Sequence, residues 1–260
     1  MTLPLTPTLI SRFAKAATDN GFDQALEPEG NWLVFASTHC PLRVWLSAHG
    51  DTVILAGFSQ QNVVRSLGEQ GESMAAPMPK GAAGGRAVPD VPALHRLLRR
   101  AFQLSKALPN ELLHTFEKQI AALPKTTEAE RLVVQRVGQK LFRDGLMDFW
   151  EGRCAVTGLA VPALLRASHI KPWADCETDA ERLDVHNGIL LAPHLDAAFD
   201  CGYITVADDG TIIFSDVLSA DARAKLGLHQ LLRMHGLTRE HCAYLAYHRE
   251  RIFRTCPYVK

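Results

Sequence analysis

One short stretch of this 260-residue chain holds side chains whose types and spacing suit chemistry. His169 stands near the end of the run Ala163-Leu164-Leu165-Arg166-Ala167-Ser168-His169-Ile170, which Lys171-Pro172 closes. Asn187 precedes Gly188, and His194, Asp196 and Asp200 follow soon after. A neutral imidazole with a pKa near the working pH can take a proton from water. Two carboxylates spaced like Asp196 and Asp200 share one face of a helix and can converge on one cation, with His194 near the helix start as a nitrogen donor. Oxygen ligands favour Mg2+ or Mn2+, and a nitrogen ligand widens the choice to Zn2+ or Ni2+. The chemistry within reach is metal-assisted hydrolysis. Plainer roles exist for each residue: Asn187 as a turn residue, His194 as a helix-start residue, Asp196 and Asp200 as partners of backbone groups. His186 stands beside Asn187, but its side chain is expected to point away from its neighbour's.

Local elements must position these groups. Pro172 lacks a donor and restricts the residue before it, so a strand should stop there with His169 at its end. Asn187-Gly188 signals a turn, and Ile189-Leu190-Leu191 is a brief buried run. Pro193 suits the start of a helix running to about Asp200.

The order strand, His, turn with Asn, helix with carboxylates resembles the HNH endonucleases, whose core is a ββα-metal fold. The resemblance spans roughly 150–215. It rests on Cys154-Ala155-Val156-Thr157-Gly158, Ala167-Ser168-His169-Ile170-Lys171-Pro172-Trp173, Asn187-Gly188-Ile189-Leu190-Leu191 and Pro193-His194-Leu195-Asp196-Ala197-Ala198-Phe199-Asp200. These are similar to the variant without the CxxC zinc finger. The resemblance implies a metal-dependent endonuclease with His169 as general base and Asn187 pinning the loop that aims it. Counted from Asn187, the family's usual third ligand position is Asp196, with His194 two residues earlier; both are candidates, and Asp200 lies one turn on. Ser168 stands where the family often has an Asp ligand. The implied substrate is DNA, double-stranded, with Arg166 and Lys171 on flanking phosphates. Restriction or phage defence is the implied setting. A different class competes: a nucleic-acid-binding regulator that keeps the fold and does not cut. A third reading is an oligomeric interaction protein with a structural metal.

Hydrophobic residues make up 47% and charged residues 22%, ordinary for a globular protein. The net charge of +0 argues against coating DNA by bulk charge and leaves room for local basic faces. Lys80, Arg86, Arg96, Arg99, Arg100 and Lys106 form one such segment. Arg223, Lys225, Arg233, Arg239, Arg249, Arg251, Arg254 and Lys260 form another. The cysteines include no Cys-x-x-Cys pair, which speaks against a zinc knuckle. Without a secretory pattern or a membrane-length apolar run, free thiols and a cytoplasmic protein are expected.

The expected fold class is α+β: a ββα-metal nuclease domain on the carboxy-terminal side, a helical bundle segment before it, and a small α+β amino-terminal domain. The expected boundaries are 1–72 for the accessory domain, a possible reader of a DNA feature, then 73–92 for a Pro/Gly-rich flexible linker, 93–150 for a helical connector and 151–260 for the nuclease domain. In the first part a helix from Thr6-Pro7 to Asn20-Gly21 precedes strands at 32–37, 42–47 and 52–56, read as an antiparallel meander. His49-Gly50-Asp51 makes a turn there, and 60–67 a short helix. Helices follow at 93–107 and 111–123, and a long one opens on a Thr127–Glu130 capping box, with a bend compatible with Gly138 and Gly145. After the centre come a hairpin around Asp208-Asp209-Gly210, a short helix capped by Ser219 and a final helix from Thr238. Leucines at helical spacing also leave a homodimer compatible.

Overall fold

A computed structural model describes residues 5–50, 53–68, 70–74, 77–121, 123, 128–228 and 232–255. The fold is mixed α+β. The chain divides into two units, 1–111 and 112–260.

In the first unit Thr6 caps helix α1 (Pro7–Asp19), its Oγ1 accepting from Leu9 N at 3.3 Å. Strands β1 (Gln24–Glu29), β2 (Trp32–Ala36), β3 (Arg43–His49) and β4 (Val53–Phe58) pair in antiparallel sequence, the expected meander with one strand more at its edge. The expected turn residue Asp51 and strand start Thr52 lie outside the described residues. Helix α2 (Gln61–Ser66) follows. Strands β5 (Glu72–Ser73) and β6 (Gly84–Val88) complete a sheet of order β1-β2-β3-β4-β6-β5. Helix α3 (Val91–Ala107), capped by Asp90, buries Leu94, Leu97, Leu98, Ala101 and Leu104.

The linker expected at 73–92 is therefore corrected. Strand β6 runs beside β4 from Ile54↔Val88 to Phe58↔Gly84. Its glycines admit neighbours: a Cβ on Gly85 would lie 2.7 Å from the carbonyl oxygen of Ala56, and one on Gly84 2.9 Å from Val64 Cγ1. Glycine in a strand marks close approach, and by composition it looks the same as glycine in a tether. The boundary at 72 moves with it. Helix α3, assigned above to a helical connector at 93–150, belongs to the first unit. Arg86 leaves the expected basic face: it is 9% exposed, and its Nη2 donates to the carbonyls of Val64 and Gly68 at the carboxy-terminal end of α2.

In the second unit helix α4 (Pro109–Ile120), whose first turn spans the division, precedes α5 (Glu128–Phe149). Thr127, the expected cap of α5, lies outside the described residues. Helix α5 runs unbroken through Gly138 and Gly145. A Cβ on Gly138 would lie 2.7 Å from the Trp173 ring, and one on Gly145 2.5 Å from Leu112 Cδ1. These glycines admit neighbours where a bend was expected. Strand β7 (Arg166–His169) pairs with β8 (Gly188–Leu191) in antiparallel register, His169 opposite Gly188. Between them lies the one-turn helix α6 (Asp179–Arg182). Helix α7 (Pro193–Asp200) packs on β7, completing a ββα unit. Its core includes Phe142, Leu146, Leu165, Ile170, Ile189, Leu190, Leu195 and Phe199. The expected hairpin forms as β9 (Ile204–Val206) and β10 (Ile212–Phe214). Helix α8 (Ala220–Lys225) carries the Ser219 cap, and α9 (Arg239–Arg251) closes the described chain.

Candidate active site

Strand β7 ends where Pro172 requires it, and His169 is its last residue. The imidazole stacks on Phe142 of α5 with centroids 3.7 Å apart and meets Trp173 edge-on. Its Nε2 lies 2.9 Å from the carbonyl oxygen of Arg182. A carbonyl only accepts, so Nε2 carries the hydrogen and Nδ1 is the bare nitrogen. Burial pulls the imidazole pKa down to about 4, against the smaller upward pull of the Arg182 carbonyl. The ring is neutral at neutral pH.

Asn187 sits in a single 3-10 turn (Val185–Asn187) immediately before β8 and is 0% exposed. Its Oδ1 accepts from Lys171 N at 2.7 Å. Its Nδ2 donates to the carbonyls of Lys171 and Glu181, each at 3.2 Å, and to Cys176 Sγ. The amide thus sews both ends of the 171–187 segment together beside His169.

Ser168 turns towards α7. Its buried hydroxyl lies 2.5 Å from Asp196 Oδ1 and 3.4 Å from Asp200 Oδ1. One hydroxyl donates one hydrogen, so two carboxylates compete for it. Partial burial and the Asp196 charge push the Asp200 carboxyl up to about 6, against the Ser168 hydrogen bond. Two like charges meeting at a hydroxyl form a hard-oxygen donor set that fits a divalent cation, and Mg2+ commonly uses one or two carboxylates with substrate phosphate.

The expected ligand trio of His194, Asp196 and Asp200 is not assembled. His194 is exposed, and at 3.6 residues per turn it stands roughly 200° around α7 from Asp196. Among the described residues no three His, Cys, Asp or Glu side chains converge to hold a metal ion. The ammonium of Lys171 is engaged within the protein: it bonds Glu181 Oε1 at 2.7 Å, lies over the Tyr247 ring and belongs to a side chain 13% exposed. Arg166 is exposed and makes long contacts, 3.4 and 3.5 Å, to nearby carbonyls.

Ala167, Ser168, His169, Trp173, Asp200 and His248 help line one cavity of about 360 Å³. Arg182, Glu181 and Phe142 support it and were missed in the sequence. Their work is done by a backbone carbonyl, an ion pair across ten residues and a ring on another helix, none of which has a local pattern. Gly188 admits that ring: a Cβ there would lie 2.5 Å from Phe142 Cζ. Cys154, at the place of a finger cysteine, is buried, and its sulfur accepts from Thr157 N and Ala192 N. Among the described residues no helix is long and apolar enough to cross a membrane.

Residues 154–207 match a family model described as HNH endonuclease. No curated protein matches the chain. The matched segment contains β7, β8, α7 and the cavity side chains from Ala167 to Asp200. The likeness to HNH endonucleases is carried by this segment.

Proposed function

We propose that the protein is a metal-dependent endonuclease that hydrolyses phosphodiester bonds in double-stranded DNA. One observation carries this reading: His169, with its bare Nδ1, shares a cavity with Ser168 and Asp200 on the segment that matches the family. His169 is the general base. Arg182 holds the Nε2 hydrogen, and Nδ1 takes a proton from water as the oxygen attacks phosphorus. A bound phosphodiester brings negative charge beside the ring and raises its proton affinity towards the working pH. Asp196 and Asp200, joined by Ser168, would hold Mg2+ or Mn2+, which neutralises charge on the scissile phosphate and the leaving oxygen. Arg166, exposed at the start of β7, would meet a flanking phosphate.

A centre that grips backbone phosphates needs recognition from elsewhere. The amino-terminal unit, with its own sheet and core, is our candidate reader of a DNA feature such as a modified base. Restriction of foreign DNA is the setting this arrangement suits.

The test is cleavage of supercoiled plasmid and of phage DNA carrying modified bases, in Mg2+, Mn2+ or EDTA. Wild type should nick or linearise at least one substrate, EDTA should stop it, and His169→Ala should lower the rate about 10²–10⁴-fold. Intact substrates throughout, with binding retained, would favour the non-cleaving regulator.

A further inference from the structure

We propose that Arg182 is a positioning residue for the nuclease base, fixing His169 in the tautomer that leaves Nδ1 bare. This inference rests on the reading of His169 as general base.

The geometry has two halves. The backbone carbonyl of Arg182 accepts from His169 Nε2 at 2.9 Å. The guanidinium of the same residue fastens the turn that carries this carbonyl. Its Nε donates to the carbonyl of Trp173 at 3.3 Å, and its Nη2 to that of Cys176 at 2.5 Å. Its Nη1 pairs with Asp179 at 3.0 Å, and its carbon centre lies 5.9 Å from the Trp173 ring centroid. One side chain therefore spans the 173–179 stretch.

That fastening is needed because the local helix is weak. Helix α6 has four residues, and one turn is unstable without tertiary support. Thr178 caps its start, accepting from Glu181 N at 3.2 Å, which orders the amino-terminal end and leaves the carboxy-terminal carbonyl to be aimed by other means. Asn187 sews the segment at Lys171 and Glu181, one residue short of Arg182. The planar fork of arginine reaches two carbonyls and a carboxylate at once, whereas a lysine ammonium on its flexible stem is a poor match for that spread. Without the fork the Arg182 carbonyl loses its aim, and His169 loses the acceptor that selects Nε2–H. A base displaced by about 1 Å costs on the order of 10²-fold in rate.

The experiment is ¹⁵N-histidine NMR on the full chain, wild type against Arg182→Ala and Arg182→Lys, with steady-state cleavage of the best DNA substrate beside it. Wild-type His169 should give ring-nitrogen shifts of a single Nε2–H tautomer. Arg182→Ala should move them towards a tautomer mixture and lower kcat about 10–100-fold, with KM within about 3-fold. Arg182→Lys, which keeps the charge and one bond, should fall between. Should the alanine variant fail to fold, the lysine variant carries the test. An unchanged tautomer and unchanged kcat in a folded variant would overturn the proposal. The NMR readout needs no cleavage, so a wild type that cuts nothing defeats the nuclease reading and leaves the tautomer result standing.

Discussion

At the scale of single residues, Asn187 shows how a buried amide can be more specific than a buried charge. It accepts once and donates to three groups, with no exposure to water. Asn187→Ala strips the partner from the Lys171 amide and from two carbonyls, and an unsatisfied buried group costs about 1–3 kcal/mol. Asn187→Asp keeps the acceptor for Lys171 N and sets a carboxylate oxygen against the Lys171 and Glu181 carbonyls. Asp is therefore expected to destabilise more than Ala at neutral pH, although it is closer in shape. Urea midpoints of the two variants check this; an Asp midpoint at or above that of Ala would show that repulsion from the two carbonyls does not outweigh the acceptor that Asp keeps. The placement of His169, Asn187, Asp196 and Asp200 on one strand, turn and helix was legible because Pro172, Asn187-Gly188 and Pro193 mark the element ends. The ion pair of Lys171 was not legible. A lysine two residues after His169 looks free in one dimension, and its partner Glu181 arrives only when the intervening segment folds back.

At the scale of elements, glycines misled twice. In β6 they suggested a tether, and in α5 a bend. In both places the missing Cβ is where another chain segment or ring packs. Periodicity alone reports what a residue prefers, and it is silent about what comes near. The strands around the centre were readable, since Pro172 and Pro193 punctuate them and Leu190 and its neighbours are buried on both sides. Helix α5 supplies a direct check. In an exposed helix, replacing Gly by Ala stabilises by about 1 kcal/mol. At Gly138 the added methyl meets the Trp173 ring at 2.7 Å and the Phe116 ring at 3.3 Å. Overpacking typically costs about 1–3 kcal/mol, so the sign reverses. Gly138→Ala should lower Tm by several degrees in a thermal melt, and a higher Tm would mean that Trp173 yields without cost. Trp173 also meets the His169 ring, so the same variant should disturb cleavage more than its stability loss explains.

At the scale of the whole molecule, the chain was readable as two parts, but their boundary was not. The division at 111/112 lies inside a helix, where composition does not change. Long-range packing also hid what weakens the second unit in acid. Among the described residues there, burial keeps His169, His241 and His248 neutral. Burial holds His169 and His248 at about 4, and burial with the nearby His186 holds His241 at about 3. In the unfolded chain each titrates near 6.5. Below that pH the unfolded state binds more protons, so stability falls as pH falls, by roughly 1.4 kcal/mol per pH unit for each histidine, until pH reaches the folded value. Asp200 works the other way, since its folded value of about 6 makes the native state the better proton acceptor there; partly open to solvent, it offsets only part of the loss. The metal-free protein should therefore melt at progressively lower temperature from pH 7 to pH 4.5 in EDTA. His241 isolates one contribution. Its Nδ1 accepts from Thr238 N at 3.1 Å at the start of α9, and its buried Nε2 has no hydrogen-bond partner among the described residues. Glutamine can keep that acceptor without titrating. His241→Gln should flatten the pH dependence by about one proton's worth while leaving the neutral-pH melt nearly in place. An unchanged slope would mean that His241 opens to water before the unit unfolds, and that the second unit loses α9 as a separate step.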